Sequence, residues 1–220
     1  MLIKLTKTQK QKIQKFRLSI LEKNKSINLI SRKNPQEQWS LLLKQGLLTA
    51  QFLKAPLLKL SSSDFSFEKK RNLAKSKKNQ KAILDIGSGN GFPGILFAIL
   101  FPRINFYLCE RIRKKAEFLK SLKHELKLFN VKVFCLSAED IKDNFDLVLS
   151  QASLPLEEMI KLLKKILSPQ GEAFLWQAEN REKKKAFSEI EIKKFKAYEF
   201  NKKKKVILKI KKQPNDFEID

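Results

Sequence analysis

Apolar residues recur at two different spacings along the chain, and these spacings predict its secondary structure. In the N-terminal part they return every three or four residues, which is typical of amphipathic helices over residues 6–23 and 34–55. The first helix has a predicted capping box of Thr8 and Gln11, and the second has Pro35 at its first helical position. This part of the chain is therefore predicted to be helical.

From residue 82 onward, short apolar runs alternate with helical patterns. The predicted strands are 82–86, 104–109, 131–135, 145–149 and 172–177. The predicted helices are 93–101, 112–129, 155–167 and 181–190, followed by a hairpin of 192–199 with 205–211. Such alternation indicates an α/β fold with a mostly parallel central sheet, helices on both faces and an antiparallel C-terminal hairpin.

The chain of 220 residues is long enough for one such domain with a modest extension. We predict an N-terminal helical cap over residues 1–60 and a basic, serine- and lysine-rich linker or loop over 61–81. The α/β domain then covers residues 82–212, and 213–220 form a tail.

A glycine-rich turn follows the first predicted strand and precedes a helix. Four of the six glycines of the chain lie within it: Gly87, Gly89, Gly91 and Gly94. Glycine permits positive φ and lets the backbone approach a ligand closely, and the helix start behind it offers unpaired N–H groups. The pattern predicts a cofactor-binding corner.

Two cofactor classes compete for this corner. Gly89, Gly91 and Gly94 match the dinucleotide fingerprint G-x-G-x-x-G. The spacing of Asp85, Gly87, Gly89 and Gly91 instead resembles the first motif of methyltransferases that use S-adenosyl-L-methionine (SAM). A carboxylate at Asp85 would repel a pyrophosphate, whereas SAM carries an ammonium and a sulfonium and has no phosphate. We therefore predict SAM, with a nicotinamide dinucleotide as the alternative.

Further polar residues follow the other predicted strands. Glu110 ends the second strand, where its carboxylate is suited to accept hydrogen bonds from a ribose diol. Glu139, Gln151 and Gln177 fall near the ends of later strands. Because ligands of parallel sheets bind beyond the carboxyl ends of the strands, one rim is expected to collect these side chains.

The composition indicates which kinds of partner the protein is expected to bind. A formal net charge of +24 favours a polyanion such as RNA, although a lysine surplus also arises from an AT-rich genome. No apolar run is long enough to span a bilayer, so we expect no membrane. Cys109 and Cys135 both lie in predicted strands without metal-ligand spacing, which predicts reduced core thiols in a cytoplasmic protein and no metal site.

At these motifs the chain resembles the bacterial 16S rRNA guanine-N7 methyltransferases, known as methyltransferase G or glucose-inhibited division protein B. The glycine loop continues with the specific variant Phe92-Pro93-Gly94. The other similar segments are Asn28-Leu29, Asn34–Glu37, His124–Leu128, Ala138-Glu139, Phe145–Ser150 and Pro169–Gly171. The resemblance covers roughly residues 10 to 210.

The resemblance implies a Rossmann-like SAM-dependent methyltransferase fold and methyl transfer to N7 of a guanine in 16S rRNA, by a monomer acting on the small ribosomal subunit. It implies that Gly87 and Phe92 contact SAM and that Ala138 and Glu139 lie beside its adenine. Guanine N7 carries an available lone pair and needs no deprotonation before it attacks the methyl group. The reaction therefore requires no general base, and no catalytic residue is assigned. Phe92 and Trp176 are the predicted walls of the guanine pocket.

Some residues differ from those usual in the family. Gln151 replaces an arginine and Gln177 a lysine, while Leu41, Leu42 and Gln45 stand where an Arg-His pair and an acid are usual. These differences suggest an alternative, a SAM-binding ribosome-assembly or RNA-binding protein that has lost turnover.

Overall fold

A computed structural model of the protein describes residues 3–59, 82–151, 154–178, 190–200 and 203–212. The predicted linker 61–81 and tail 213–220 lie outside the described residues. The same holds for the predicted helix 181–190, apart from Ile190, which begins a strand. The structure therefore leaves these segments as predictions.

The helices and strands follow the predicted alternation. The helices are α1 (Lys7–Lys23), α2 (Pro35–Phe52), α3 (Lys54–Lys59), α4 (Gly94–Leu100), α5 (Arg113–Glu125) and α6 (Leu156–Ile166). The strands are β1 (Ala82–Ile86), β2 (Asn105–Cys109), β3 (Val131–Phe134), β4 (Phe145–Gln151), β5 (Leu167–Ala178), β6 (Ile190–Phe200) and β7 (Lys203–Lys212).

The strands form one sheet in the order β3-β2-β1-β4-β5-β7-β6. All pairs from β3 to β5 are parallel, whereas β7 runs antiparallel to both β5 and β6. The predicted Rossmann-like fold with a C-terminal hairpin is confirmed. The hairpin folds back so that β7, the last of the described strands, pairs with β5.

Apolar side chains fill both faces of the sheet. In β1, Ile83 belongs to the core shared with α1, α2, α4 and α5, whereas Leu84 belongs to the core shared with α6. A parallel strand covered on both faces is apolar at successive positions, which explains the uninterrupted apolar runs in the sequence. The N-terminal helices pack on the same face as α4, so we call this the cap face.

The N-terminal helix has the predicted extent within one residue, but its capping box lies two residues earlier than predicted. Its capping box is formed by Thr6 and Gln9, and the predicted pair Thr8 and Gln11 lies inside the helix. The Gln9 side chain also donates from Nε2 to the carbonyls of Ile99 and Leu100, at 3.2 Å each. Gln9 thus caps α1 and at the same time satisfies carbonyls at the end of α4.

The second helix ends at Phe52, and the chain then enters α3 instead of leaving the helical conformation. Pro56 is the third residue of α3, a position whose N–H has no partner inside a helix, so proline is tolerated there. The prediction that the second helix ends by Pro56 is confirmed, and α3 is an additional helix that the sequence analysis did not predict.

The two cysteines have different environments. Cys109 is buried at the end of β2, whereas Cys135 follows β3 and is exposed. Both are free thiols. The prediction of two core thiols is right for Cys109 and wrong for Cys135, because β3 ends one residue earlier than expected.

Candidate active site

The turn after β1 depends on three glycines with positive φ, namely Gly87 at 72°, Gly89 at 44° and Gly91 at 91°. The N–H groups of Gly87 and Ser88 donate to the Cys109 carbonyl at 2.9 and 3.2 Å, which ties the turn to the end of β2. A side chain at any of these glycines would be strained. The sequence prediction of a glycine-dependent turn is confirmed.

Asp85 lies beneath this turn with only 1% of its surface exposed. Its Oδ2 accepts a hydrogen bond of 3.1 Å from the backbone N–H of Gly94, the first residue of α4. Burial raises the pKa of Asp85 to about 7, although hydrogen bonds from Ser88 and Gly94 lower the pKa in part. The carboxyl group therefore occupies the helix end that a pyrophosphate would need.

Gly94 is required by this arrangement. A Cβ on Gly94 would lie 2.6 Å from Oδ2 of Asp85 and would also overlap the Leu108 side chain. The glycine therefore serves close packing of α4 against β1 and β2. Because the Asp85 carboxyl group already accepts from the Gly94 N–H, that donor is not available to a diphosphate at this helix start.

Glu110 joins the turn to the next helix. Its Oε2 accepts from the Gly89 N–H at 2.9 Å, and its Oε1 accepts from the Ile112 N–H at 2.8 Å. The side chain is buried, with 5% of the residue exposed. Each carboxylate oxygen has lone pairs beyond those used here, so Glu110 retains the capacity to accept from ribose hydroxyls.

Ile112 is a residue that the sequence analysis missed. It lies at the N-cap of α5 and is 45% exposed, although it is large and apolar. The exposed side chain follows directly on the loop that Glu110 holds. The sequence did contain a signal for Ile112, because this apolar residue lies two positions after Glu110, which ends a predicted strand. Such a position borders the rim where ligands bind.

Ala138 and Glu139 lie in a short 3-10 helix, Ala138–Asp140, after β3. Ala138 is half-buried, whereas Glu139 is exposed. The Glu139 carboxylate accepts from the Ser137 hydroxyl at 3.0 Å, and its backbone carbonyl accepts from Lys165 Nζ at 2.6 Å. The apolar Ala138 is therefore the member of this pair that offers a surface suited to an adenine.

Phe92 connects the turn to the N-terminal helices. It is 4% exposed and stacks on Phe16 of α1 at a centroid distance of 5.0 Å. Trp39 of α2 meets Phe92 edge-on at 5.3 Å and Phe16 at 4.9 Å. The three rings form one cluster, so Phe92 anchors the cap to the cofactor turn.

A narrow cleft with a volume of about 10 Å³, room for about one water molecule, lies between α2 and the ends of β4 and β5. It is lined by Leu42, Gln45, Gly46, Thr49, Phe92, Pro93, Gln151 and Trp176. The two predicted pocket walls, Phe92 and Trp176, thus share this cleft. Gly46 and Thr49 belong to it as well, although the sequence analysis assigned them no role.

Two glutamines of the sheet rim lie on opposite faces. Gln151 pairs with Trp176, and both line the cleft on the cap face. Gln177 follows Trp176 in the same strand and therefore faces the other side of the sheet. Its Nε2 is buried and has no hydrogen-bond partner among the described residues. The structure therefore brings Gln45 and Gln151 together but not Gln177.

The sequence of this chain matches one known protein family. The family described as rRNA small subunit methyltransferase G matches residues 70–213. This chain belongs to that family. The match covers the whole α/β domain, including the glycine turn, Glu110 and the cleft-forming ends of β4 and β5.

Individual methyltransferase G sequences show the same relationship. The "Ribosomal RNA small subunit methyltransferase G" of Brachyspira hyodysenteriae is 27% identical over 193 residues, which cover 88% of this chain and 83% of the relative. That of Flavobacterium psychrophilum is 30% identical over 73% of this chain and 66% of the relative. That of Bacteroides thetaiotaomicron is 42% identical, but over only 40% of this chain and 42% of its own length.

A solved structure supports the fold alone. The "Putative methyltransferase yhhF from Escherichia coli" has a TM-score of 0.50 and 16% identity, and it covers 61% of this chain and 78% of the bacterial protein. Within the ranges that the structure describes, no helix is both long and apolar enough to cross a membrane. The same described residues contain no group of three or more His, Cys, Asp or Glu arranged to hold a metal ion.

Proposed function

We propose that this protein transfers the methyl group of SAM to N7 of a guanine in 16S rRNA of the small ribosomal subunit. As a member of the methyltransferase G family, the chain is a SAM-dependent rRNA methyltransferase. The observation that supports this function best is the buried Asp85 carboxyl group at the start of α4, because it suits a cationic donor without phosphate.

The residues proposed to hold SAM surround the glycine turn. Gly87 and Gly89 allow the backbone to approach the donor, and Asp85 fixes the turn through Gly94. Glu110 is suited to accept from the ribose hydroxyls. Ala138 and Ile112 offer apolar surface to the adenine, while the exposed Glu139 borders the same rim. SAM supplies an electrophilic methyl group when it is bound.

The acceptor chemistry requires little from the protein. Guanine N7 attacks through a lone pair that is free at neutral pH, so no general base is needed, and catalysis comes from alignment of the base with the methyl group. The amide groups of Gln45 and Gln151 border the mouth of the cleft, whereas Phe92 and Trp176 are buried and form its walls. Amides both donate and accept hydrogen bonds, which suits the edges of a purine.

The proposed function also concerns the oligomeric state of the protein and its place in the cell. We expect a monomer in the cytoplasm, bound to rRNA by its charge of +24 and independent of membranes. A SAM-binding assembly factor without turnover is not favoured, because the relatives reported above are all named as methyltransferases.

The test combines binding with transfer. Purified protein is titrated with SAM and with NAD by calorimetry, then incubated with methyl-labelled SAM and either small subunits that lack N7 methylation or naked 16S rRNA. We expect binding of SAM only, and label on one guanine that becomes cleavable by borohydride and aniline. Absence of SAM binding, or label on an atom other than N7, would overturn the proposal.

A further inference from the structure

A row of lysines occupies the cap face of the C-terminal hairpin, next to the cleft. Side chains of directly paired residues lie on the same face of a sheet, and successive residues alternate between faces. The described lysines of β6 and β7 that share the face of Trp176 are Lys193, Lys196, Lys205, Lys209 and Lys211. We call this set the lysine face.

The strand register connects the lysine face to the cleft. Ile207 pairs with Trp176 on one side and with Lys196 on the other. Lys205 pairs with Ala178, two residues beyond Trp176 in the direction of the cofactor rim. Neighbouring strands are about 4.8 Å apart. The backbone of Lys205 is therefore one strand spacing from β5, which carries Trp176, and the backbone of Lys196 is two strand spacings away.

Ring contacts fix these orientations independently. Nζ of Lys196 lies 5.2 Å from the centroid of Phe52, a residue of α2. Nζ of Lys209 lies 6.0 Å from the centroid of Phe174, which belongs to the core on the cap face. Both lysines therefore project on the side where α2 and the cleft are found.

The charge of this face is only partly balanced. Among the residues described on it, the five lysines are accompanied by two glutamates. Glu191 pairs with Lys193 at 2.6 Å, and Glu172 pairs with Lys209 at 2.8 Å. The Glu191–Lys193 pair is the more exposed of the two, and exposed pairs contribute little to stability, whereas the Glu172–Lys209 pair is half-buried. With five lysines and two glutamates, the described part of the face carries a net positive charge.

An aromatic hydroxyl links the lysine face to the cleft. Tyr198 pairs with Lys205, and its Oη accepts from Nε2 of the cleft residue Gln45 at 3.3 Å. Tyr198 also meets Phe52 edge-on at 5.9 Å. A surface that joins lysines to half-buried aromatic and amide groups offers single-stranded nucleic acid phosphate contacts together with hydrogen-bonding groups for a base.

We propose that the lysine face binds the phosphates of the nucleotides that flank the methylated guanine, with that guanine at the mouth of the cleft beside Gln45 and Gln151. The inference rests on the proposed function. It assigns the RNA strand a path across the molecule, which runs from the cleft over β7 and then over β6. Lys196 and Lys205 contact the phosphates nearest the guanine, and Lys193 contacts one farther out.

The test replaces three lysines of the face. The variant Lys193→Gln, Lys196→Gln and Lys205→Gln is compared with a matched variant, Lys10→Gln, Lys120→Gln and Lys161→Gln, whose exposed lysines lie on α1, α5 and α6. Both variants lose the same charge. Binding to 16S rRNA is measured from about 50 to about 200 mM KCl, and methyl transfer is measured at saturating SAM.

We expect KM for RNA to rise about tenfold in the first variant, and the slope of log K against log salt to fall by about 2, from three lost phosphate contacts at about 0.7 each. SAM affinity and kcat at saturating RNA should stay within twofold of wild type. The matched variant should shift KM by less than about threefold, since it lacks contacts to the strand.

Equal effects of the two variants would overturn the inference, and so would an unchanged KM and salt slope in the first one. Vesicles of phosphatidylglycerol that bind through the same three lysines, while RNA binding is unaffected, would also overturn it. Failure of the proposed function is distinguishable, because it would appear in the wild type as absent SAM binding or absent methyl transfer.

Discussion

The carboxylate of Asp85 accepts a hydrogen bond from the N–H of Gly94 at 3.1 Å, so an acidic side chain without solvent contact closes the start of α4. Burial raises its pKa from 3.8 to about 7. Since the native state holds the proton more tightly than the unfolded chain, the contribution of Asp85 to stability is greatest below about pH 4, declines as the pH rises to about 7 and stays constant above it.

The variant Asp85→Asn tests this relationship. Asparagine keeps an oxygen for the Gly94 N–H but does not ionise, so the variant should lose this part of the pH dependence. Between pH 5 and pH 8, we expect wild type to lose about 2–3 kcal/mol of unfolding free energy relative to the variant. Urea denaturation at both pH values measures the difference.

Asp143→Asn serves as the control, because Asp143 is an exposed acid on the loop before β4. It should leave the pH dependence of unfolding close to that of wild type. If Asp85→Asn and Asp143→Asn behave alike, burial of Asp85 does not determine its protonation.

Glu110 should control cofactor affinity. In Glu110→Gln, one carboxylate oxygen becomes an NH2 group that faces the N–H of Gly89 or of Ile112 as a second donor. We expect the Kd for SAM to rise at least about tenfold, since the turn loses an acceptor and the ribose hydroxyls lose a charged partner. Calorimetry with S-adenosylhomocysteine measures the change without turnover.

The matched variant is Glu117→Gln on α5, whose side chain is 57% exposed and forms a surface pair with Arg113. Its cofactor affinity should stay within twofold of wild type. Equal affinity of wild type and Glu110→Gln would show that Glu110 has only a structural role.

The cluster of Phe16, Trp39 and Phe92 should couple the stability of the cap to that of the cofactor turn. Trp39→Leu removes the contacts with both phenylalanines, and we expect it to cost about 2–4 kcal/mol of unfolding free energy. In a double-mutant cycle with Phe92→Leu, the coupling energy should be about 0.5–1.5 kcal/mol. Urea denaturation of the four proteins measures both quantities.

Phe129→Leu is the control for this cycle, because Phe129 is 82% exposed. It should change the unfolding free energy by no more than about 0.5 kcal/mol. Additive effects of Trp39→Leu and Phe92→Leu would contradict a shared cluster.

Gln151 should affect methyl transfer but not cofactor binding. It lines the cleft at the end of β4, beside Trp176. In Gln151→Ala, we expect kcat/KM for RNA to fall about tenfold to a hundredfold, since a hydrogen-bonding group for the guanine is lost, with the Kd for SAM within twofold of wild type. Single-turnover transfer of labelled methyl groups measures the effect.

The comparison variant is Gln36→Ala, an exposed glutamine near the start of α2. Its transfer rate should match that of wild type. A Gln151→Ala protein with unaltered transfer would exclude the amide from positioning the guanine.

The fold and the acidic residues of the turn could be predicted from the sequence because both follow from local patterns. Alternating periodicities define the sheet, and Asp85 and Glu110 each stand at a strand end, where parallel strands bring them together. The capping box of α1 could not be predicted in this way. Thr6 with Gln9 and Thr8 with Gln11 have the same spacing, and the choice depends on Gln9 reaching the distant carbonyls of α4.

The surroundings of Phe92 and Gln177 also escaped prediction, for a related reason. The partners of Phe92 come from α1 and α2, and no local pattern identifies a contact between residues so far apart in sequence. Gln151 and Gln177 each follow a buried strand, yet the register of β4 with β5 pairs Gln151 with Trp176. That register puts Gln177 on the opposite face, which the sequence of a single strand does not reveal.

The position of β7 between β5 and β6 has a consequence for synthesis of the protein. While the chain is still emerging from the ribosome, β5 has an open edge, because β7, which covers it, is made after all the other described strands. An open edge of this kind invites pairing with other chains. Nascent protein therefore depends on completion of its final segment before the sheet is protected, and premature termination within residues 203–212 should yield aggregated product.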